Sequence, residues 1–104
     1  MQLNLNPCPV GVTLALISDK WKIYIIHELQ GGPRRPGEMR RLLKGISQKV
    51  LTENLRSMEK DGLLIRAVCG EVPPRVEYSL TELGGSLSPG LEAMFDWGSE
   101  YLQR

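Results

Sequence analysis

The sequence is poor in the residues that mark enzymes and metal sites. Its 104 residues include one histidine and two cysteines, Cys8 and Cys69, which lie far apart and form no CxxC pair. This spacing supports neither a disulfide framework nor a zinc site, so both are expected to be free thiols. There is also no glycine-rich phosphate loop and no paired cluster of acidic residues from which a catalytic site could be assembled. We therefore expect no enzyme activity, no metal and no cofactor.

Long apolar runs are also missing. No segment approaches the roughly 20 apolar residues that a membrane span requires. The start of the chain, MQLNLNPCPVGVTLALI, has neither the basic segment nor the continuous apolar core of a secretion signal. We expect a soluble cytoplasmic protein with one domain over residues 1–104. A domain of this size buries only about 60 to 70% of its unfolded surface, so a partner chain is plausible.

Charge is nearly balanced overall, at +1, but it is unevenly distributed along the chain. Between Arg34 and Lys60 there are eight basic and three acidic residues, a net of +5, whereas from Thr81 onward the net is −3. This asymmetry is expected if one surface meets phosphate and another does not.

Residues 36–61 have the pattern of two short helices joined by a tight turn. Pro36 can begin the first, Gly45-Ile46 turns the chain into the second, and Asp61-Gly62 ends it. This arrangement is a helix-turn-helix. The residues expected to point inward are Met39, Leu42 and Leu43 in the first helix and Leu51, Leu55 and Met58 in the second.

A hairpin, or wing, is predicted over about residues 64–80, with Glu71-Val72-Pro73-Pro74 at its tip. A helix fits the major groove of DNA, and a hairpin beside it can grip the flanking backbone. Arg75, next to the tip, is therefore a candidate for contact with phosphate or the minor groove. The alternative is a salt bridge to Glu71 or Glu77.

The two ends of the chain are predicted to be helical and apolar. Pro9 can begin a first helix that ends near Ser18, and Asp19 can cap a second with Trp21 in its buried stripe. Thr81 can cap a long C-terminal helix over about 81–103, kinked at Pro89. Its apolar residues exceed what one small core can cover, which favours a homodimer; the alternative is that the helix folds back on the core. The predicted interface residues are Leu14, Leu91, Met94, Phe95, Trp97, Tyr101 and Leu102.

Three segments together resemble a known family: CPVGVTLALISDKWKIYIIHEL, GPRRPGEMRRLLKGISQKVLTENLRSMEKDGLL and EVPPRVEYSLTELGGSL. They are similar to the HxlR-type regulators, a branch of the MarR-like winged-helix transcription factors, from Cys8 to about Trp97. The resemblance implies a mostly α fold with a small β-hairpin, a winged helix-turn-helix that dimerises through its N- and C-terminal helices. It further implies a bacterial regulator that binds inverted repeats in double-stranded DNA, often near genes for electrophile metabolism.

The candidate DNA contacts are concentrated in the second helix of the motif. Gln, Lys, Thr and Arg side chains in its first turns can reach base edges, and a serine cap leaves amides for a phosphate. Basic residues of the preceding helix would position the protein on the backbone. The alternatives are a solvated polar face, to which Glu53 lends weight, or a winged helix that binds proteins. The predicted contacts are Arg40 and Arg41 (phosphate), Ser47 (cap and phosphate), and Gln48, Lys49, Thr52 and Arg56 (bases).

Cys8 is the candidate for redox chemistry. It precedes Pro9 at a helix N-terminus, where free amides favour the thiolate and raise its reactivity. The resemblance adds that a cysteine near this position is frequent and that some members oxidise or alkylate it to change DNA affinity. The alternative is an ordinary, partly buried thiol, as expected for Cys69. A small-molecule effector bound between subunits, near Trp21, Trp97 and Tyr101, is a further hypothesis; such aromatics are more often core.

Overall fold

The structure, a computed structural model, describes residues 8–104 and is a winged helix-turn-helix, as the sequence predicts. Residues 1–7, part of the segment from which no secretion signal is expected, lie outside the described residues. No helix in the described range is long and apolar enough to cross a membrane. The elements are α1 (Pro9–Leu16), α2 (Lys20–Leu29), α3 (Pro36–Leu42), α4 (Gln48–Lys60), β1 (Leu64–Cys69), β2 (Arg75–Leu80), α5 (Glu82–Gly85) and α6 (Ser88–Leu102).

Helix α4 is bounded on both sides by residues that the sequence marks. The Ser47 hydroxyl accepts a hydrogen bond from the amide of Val50 at 3.1 Å, which confirms its role as a cap. At the other end the amide of Leu63 donates to the Met58 carbonyl at 2.9 Å, and that of Gly62 to Glu59 at 3.0 Å. This pair of bonds requires a residue with left-handed backbone geometry just after the helix, and Gly62 is that residue, with a φ of +82°.

The core lies between α2, α3, α4 and the hairpin. The predicted inward residues of α4 are buried, as are Met39 and Leu43 next to it. Leu42 does not follow the prediction, since its side chain is 47% exposed. The reason is that α3 ends at Leu42, and Leu43 turns out of the helix with φ −98° and ψ 76° to take the inward position. Trp21 is only half-buried and packs on the edge of the core.

The hairpin is antiparallel, with Arg66 opposite Tyr78 and Cys69 opposite Arg75. A third backbone segment joins it, which the sequence did not indicate. Arg34, in the loop before α3, exchanges two backbone hydrogen bonds with Tyr78, at 2.8 and 2.9 Å. This bridge fixes the hairpin to the helix-turn-helix, because it ties β2 directly to the start of α3.

The C-terminal segment is two helices rather than one kinked helix. Thr81 caps α5 as predicted, its hydroxyl accepting from the amide of Gly84 at 3.0 Å. The predicted kink at Pro89 is wrong: α5 ends at Gly85, and Pro89 lies in the first turn of α6. Proline has no amide proton for the carbonyl four residues earlier and its ring obstructs that carbonyl, so the chain starts a new helix where that proton is not needed.

Candidate nucleic-acid interface

One long face of α4 is polar and open to solvent. Gln48, Lys49 and Arg56 are exposed and Thr52 is half-exposed, so the structure brings the four predicted base-contacting side chains onto one helix. Gln48, Thr52 and Arg56 follow each other at intervals of one turn and face the hairpin, whereas Lys49 belongs to the next row with Glu53. This helix face offers amide, hydroxyl, ammonium and guanidinium donors, which are the groups that hydrogen-bond to base edges.

A groove of about 420 Å³ runs between α4 and the hairpin. Gln48, Thr52 and Arg56 lie along its α4 side, and Arg66 and Tyr78 lie along its hairpin side. Arg66 was not among the residues predicted from the sequence. The alternation of side chains along β1 places it on the groove face opposite Tyr78, but that orientation depends on the register of the hairpin.

Arg40 and Arg41 project to different places. The Arg40 guanidinium donates to the side-chain oxygen of Gln48 at 3.1 Å, which connects α3 to the first turn of α4. This bond uses the Gln48 oxygen as acceptor, so the amide NH₂ group remains available as a donor. Arg41 instead lines a shallow depression with Arg35 and Glu38 at the start of α3.

Arg75 makes the ion pairs that were the alternative to DNA contact. Its guanidinium lies 3.1 Å from a Glu71 carboxylate oxygen and 3.7 Å from one of Glu77. Its Nε is buried and donates no hydrogen bond to any described residue. In the free protein Arg75 is therefore held along the hairpin, and a phosphate would have to displace Glu71, the shorter of the two contacts.

The two cysteines lie in different settings, and neither forms a disulfide within the described residues. Cys8 is partly buried at the N-cap of α1, where its backbone carbonyl accepts from the Val12 amide at 2.9 Å and its side chain makes no capping bond. Cys69 is on β1, with its sulfur 4.0 Å from a Glu77 carboxylate oxygen. Cys8 is thus next to the apolar first helix, and Cys69 belongs to the hairpin.

Most of the predicted dimer-interface residues lie exposed in the single chain. On α6, Phe95 is 73% exposed and Leu102 84% exposed, and Trp97 stacks on Tyr101 with ring centroids 5.3 Å apart. Leu14 on α1 and Met94 on α6 are also exposed. Leu91 differs, because it is half-buried and packs on the core of its own chain.

Within residues 8–104, no group of three or more histidine, cysteine, aspartate or glutamate side chains is placed to hold a metal ion. Polar side chains of α4 and the hairpin line the open groove between them, so they form a solvent-exposed face rather than an enclosed cavity. Such a face suits a macromolecule better than a small substrate.

Known proteins are similar to this chain in sequence and in fold. Residues 16–104 match the family model described as HxlR-like helix-turn-helix. The uncharacterized HTH-type transcriptional regulator YdeP of Bacillus subtilis (strain 168) is 46% identical over 101 residues, covering 97% of this chain and 79% of YdeP.

Two solved structures extend the likeness to three dimensions. A transcriptional regulator of the MarR family from Enterococcus faecalis V583 is 46% identical, with a TM-score of 0.83 over 90% of this chain and 86% of that one. The redox regulator HypR in its oxidized form is 44% identical, with a TM-score of 0.83 over 89% and 96% of the two chains. This chain therefore belongs to the HxlR-like helix-turn-helix family, whose members are transcriptional regulators and not enzymes.

Proposed function

We propose that this protein is a cytoplasmic bacterial regulator that binds inverted repeats in double-stranded DNA as a homodimer. One observation carries the proposal: a single exposed face of α4 presents Gln48, Lys49, Thr52 and Arg56 beside a hairpin. An α-helix fits the major groove, where these side chains can pair with guanine and adenine edges. Ser47, at the start of α4, and Arg40 and Arg41 would bind phosphate and set the orientation on the duplex.

The homodimer is supported by the surface of the terminal helices. Phe95 and Leu102 lie on one side of α6, and Met94, Trp97 and Tyr101 lie on another, so apolar side chains occupy more than one face of an exposed helix. Helix α1 has no charged residue, and none of its residues is fully buried in the single chain. Helices that are apolar on several faces are normally buried, and a second copy of the chain would bury both.

Two-fold symmetry also explains the predicted DNA target. In a dimer the two α4 helices would enter successive major grooves, about 34 to 36 Å apart, and read the two halves of an inverted repeat. The decisive experiment is selection of bound duplexes from a random DNA pool at two salt concentrations. Recovery of an inverted repeat whose affinity falls steeply with salt supports the proposal, and enrichment of no sequence contradicts it in favour of a protein-binding winged helix.

Arg56→Ala should change which sequence is preferred. Arg56 is exposed on the α4 face at the groove, where a guanidinium can bind guanine O6 and N7, and losing such a contact costs about 1–3 kcal/mol of discrimination. Fluorescence anisotropy with the selected site, single-base variants of it and random DNA measures the affinity of the variant for each duplex. The Lys49→Ala variant should also prefer a different sequence, whereas Arg75→Ala should weaken binding to all duplexes. An equal loss on selected and random DNA for Arg56→Ala would exclude a reading role.

Thiol oxidation should change DNA affinity through Cys8. HypR is named as a redox regulator and has been solved in reduced and oxidized forms, and Cys8 begins α1, which we assign to the dimer interface. Treatment with diamide would join two Cys8 thiols, one from each subunit, into a disulfide as diamide takes up two electrons and two protons. Coupling of this kind typically changes affinity about 5- to 150-fold.

The matched control for this effect is the other cysteine. Cys8→Ser should abolish the response to diamide, and Cys69→Ser should retain it. Non-reducing gel electrophoresis reports the covalent dimer, and anisotropy with the selected DNA reports affinity. A response that persists in Cys8→Ser and disappears in Cys69→Ser would move the sensor to the hairpin.

A further inference from the structure

The groove between α4 and the hairpin contains an arginine to which the sequence assigned no role. Arg66 lies at the middle of β1, opposite Tyr78, and its side chain is exposed on the groove wall that faces Thr52 and Arg56. It is the one basic residue of β1. The groove therefore has a guanidinium on each wall, Arg56 from α4 and Arg66 from the hairpin.

Arg66 makes no ion pair with any described residue, whereas three other arginines of the chain do. Arg34 and Arg35 each approach Glu38, at 4.0 and 3.8 Å, and Arg75 is paired with Glu71 and Glu77. No carboxylate among residues 8–104 lies within 4.0 Å of the guanidinium of Arg56 or of Arg66. Two positive charges that face one open groove without a direct ion-pair partner repel each other and favour an anion between them.

The shape of duplex DNA identifies that anion. The major groove, about 12 Å wide, and the minor groove, about 6 Å wide, are separated by the sugar-phosphate backbone of a single strand. If α4 enters the major groove and the hairpin reaches the adjacent minor groove, one strand has to pass between them. The space between α4 and the hairpin is the groove that contains Arg66.

We propose that this groove is a binding site for the backbone of that one strand, with Arg66 as its principal phosphate ligand. This inference rests on the proposed function and assigns a part of the DNA site that neither the α4 face nor the hairpin tip explains. The planar guanidinium of Arg66 can bind a phosphate through two parallel hydrogen bonds.

The polarity of the groove sets where the strand lies. Its α4 wall begins with Gln48 and ends, about three turns later, with Glu59, the one acidic residue among the described residues that line it. A phosphate is repelled by the Glu59 carboxylate and attracted by Arg56 and Arg66, so the strand occupies the part of the groove toward Gln48. This places the backbone next to the first turns of α4, where the base-contacting side chains lie.

Arg66→Ala tests the proposal in the full-length protein, with the selected duplex and a random duplex titrated over a series of salt concentrations. Each lost phosphate contact reduces the slope of log K against log salt by about 0.9 for B-DNA, so a dimer that loses two contacts should lose about 1.8. Both duplexes should be affected by the same factor, because a phosphate contact carries no sequence information. Arg66→Lys, which keeps the charge, should retain most of the slope.

Matched variants separate a local effect from general changes in charge or folding. Arg104→Ala removes one positive charge at the C-terminal end, outside the groove, and should leave the slope unchanged. Arg66→Gln removes the charge but keeps a polar side chain at this exposed position, and it should reproduce the loss with a thermal unfolding midpoint equal to that of the wild type. Glu59→Gln should strengthen binding to both duplexes.

The possible failures are distinguishable. If the wild-type protein binds no duplex, the proposed function itself is wrong. If the wild type binds its selected site with a steep salt slope and Arg66→Gln has the same slope, the function stands and the groove is not a strand site. A loss for Arg66→Gln that is confined to the selected duplex would also overturn the proposal, since Arg66 would then be a base-reading residue.

Discussion

Phe95→Glu is expected to dissociate the homodimer and to lower affinity for the full inverted repeat by about 10²- to 10⁴-fold, the usual advantage of two linked binding modules. Phe95 is 73% exposed in the single chain, on a helix whose neighbouring apolar side chains are exposed with it. In the proposed dimer it is buried, and a carboxylate introduced there would lose its hydration without a basic partner. In the free subunit Phe95 is already exposed, so the substitution removes little buried contact and the fold of the subunit should be unaffected.

Sedimentation velocity reports the subunit mass, and anisotropy compares the full site with a half-site. Leu83→Glu is the matched control, because Leu83 is also apolar and 58% exposed but lies on α5 rather than on α1 or α6. We expect Leu83→Glu to remain dimeric. A Phe95→Glu protein that sediments as a dimer would place the interface elsewhere, and loss of half-site binding as well would indicate damage to the fold.

Gly84→Ala is expected to destabilise the fold by about 1–3 kcal/mol, the usual cost of overpacking, and toward the upper end of that range. A β-carbon on Gly84 would collide with the backbone carbonyl oxygen of Leu63 and would lie 3.0 Å from the carbonyl carbon. That carbonyl cannot simply move away, because it accepts a hydrogen bond from the Thr81 amide at 3.1 Å. Thr81 is itself fixed, since its hydroxyl donates to the Gly62 carbonyl at 2.6 Å.

The adjacent glycine provides the control. Apart from its chain neighbours and the backbone of its own helix, no described residue lies within 4 Å of a β-carbon built on Gly85. Gly85→Ala should therefore be neutral or stabilising by up to about 1 kcal/mol, the difference in helix propensity between the two residues. Urea and thermal unfolding measure both variants; each kcal/mol corresponds to about 4–8 °C in the midpoint for a domain of this size. Equal midpoints for the two alanine variants would show that α5 can move away from Leu63 at little cost.

The helix-turn-helix and the wing are predictable from the sequence because local patterns specify them. The inward repeat of Leu51, Leu55 and Met58 defines α4, Ser47 and Gly62 define its ends, and the structure confirms each. The face of α4 opposite that repeat carries polar residues in the sequence, so its candidate DNA contacts could be named as well. Short-range hydrogen bonds and periodic burial are properties of neighbouring residues, and neighbouring residues can be compared in a sequence.

Other features could not be predicted from local patterns. The bridge of Arg34 to Tyr78 joins segments that no local pattern relates. The exposure of Leu42 follows from where α3 stops, and the division at Pro89 follows from α6 starting as a separate helix. Proline is compatible with both a kink and a first turn, so the residue alone could not decide between them.

The sequence by itself determined the family, the order of helices and strands, and the polar face of α4, because all three are encoded in residue spacing along the chain. The tertiary structure decided which charged groups are available on that surface. It pairs Arg75 with Glu71 and Glu77, directs Arg40 to Gln48, and leaves Arg56 and Arg66 facing one groove with no carboxylate of residues 8–104 as an ion-pair partner. Charge interactions fall off with distance in space and not with separation in sequence. Only the folded arrangement of α3, α4 and the hairpin could therefore distinguish an occupied arginine from a free one.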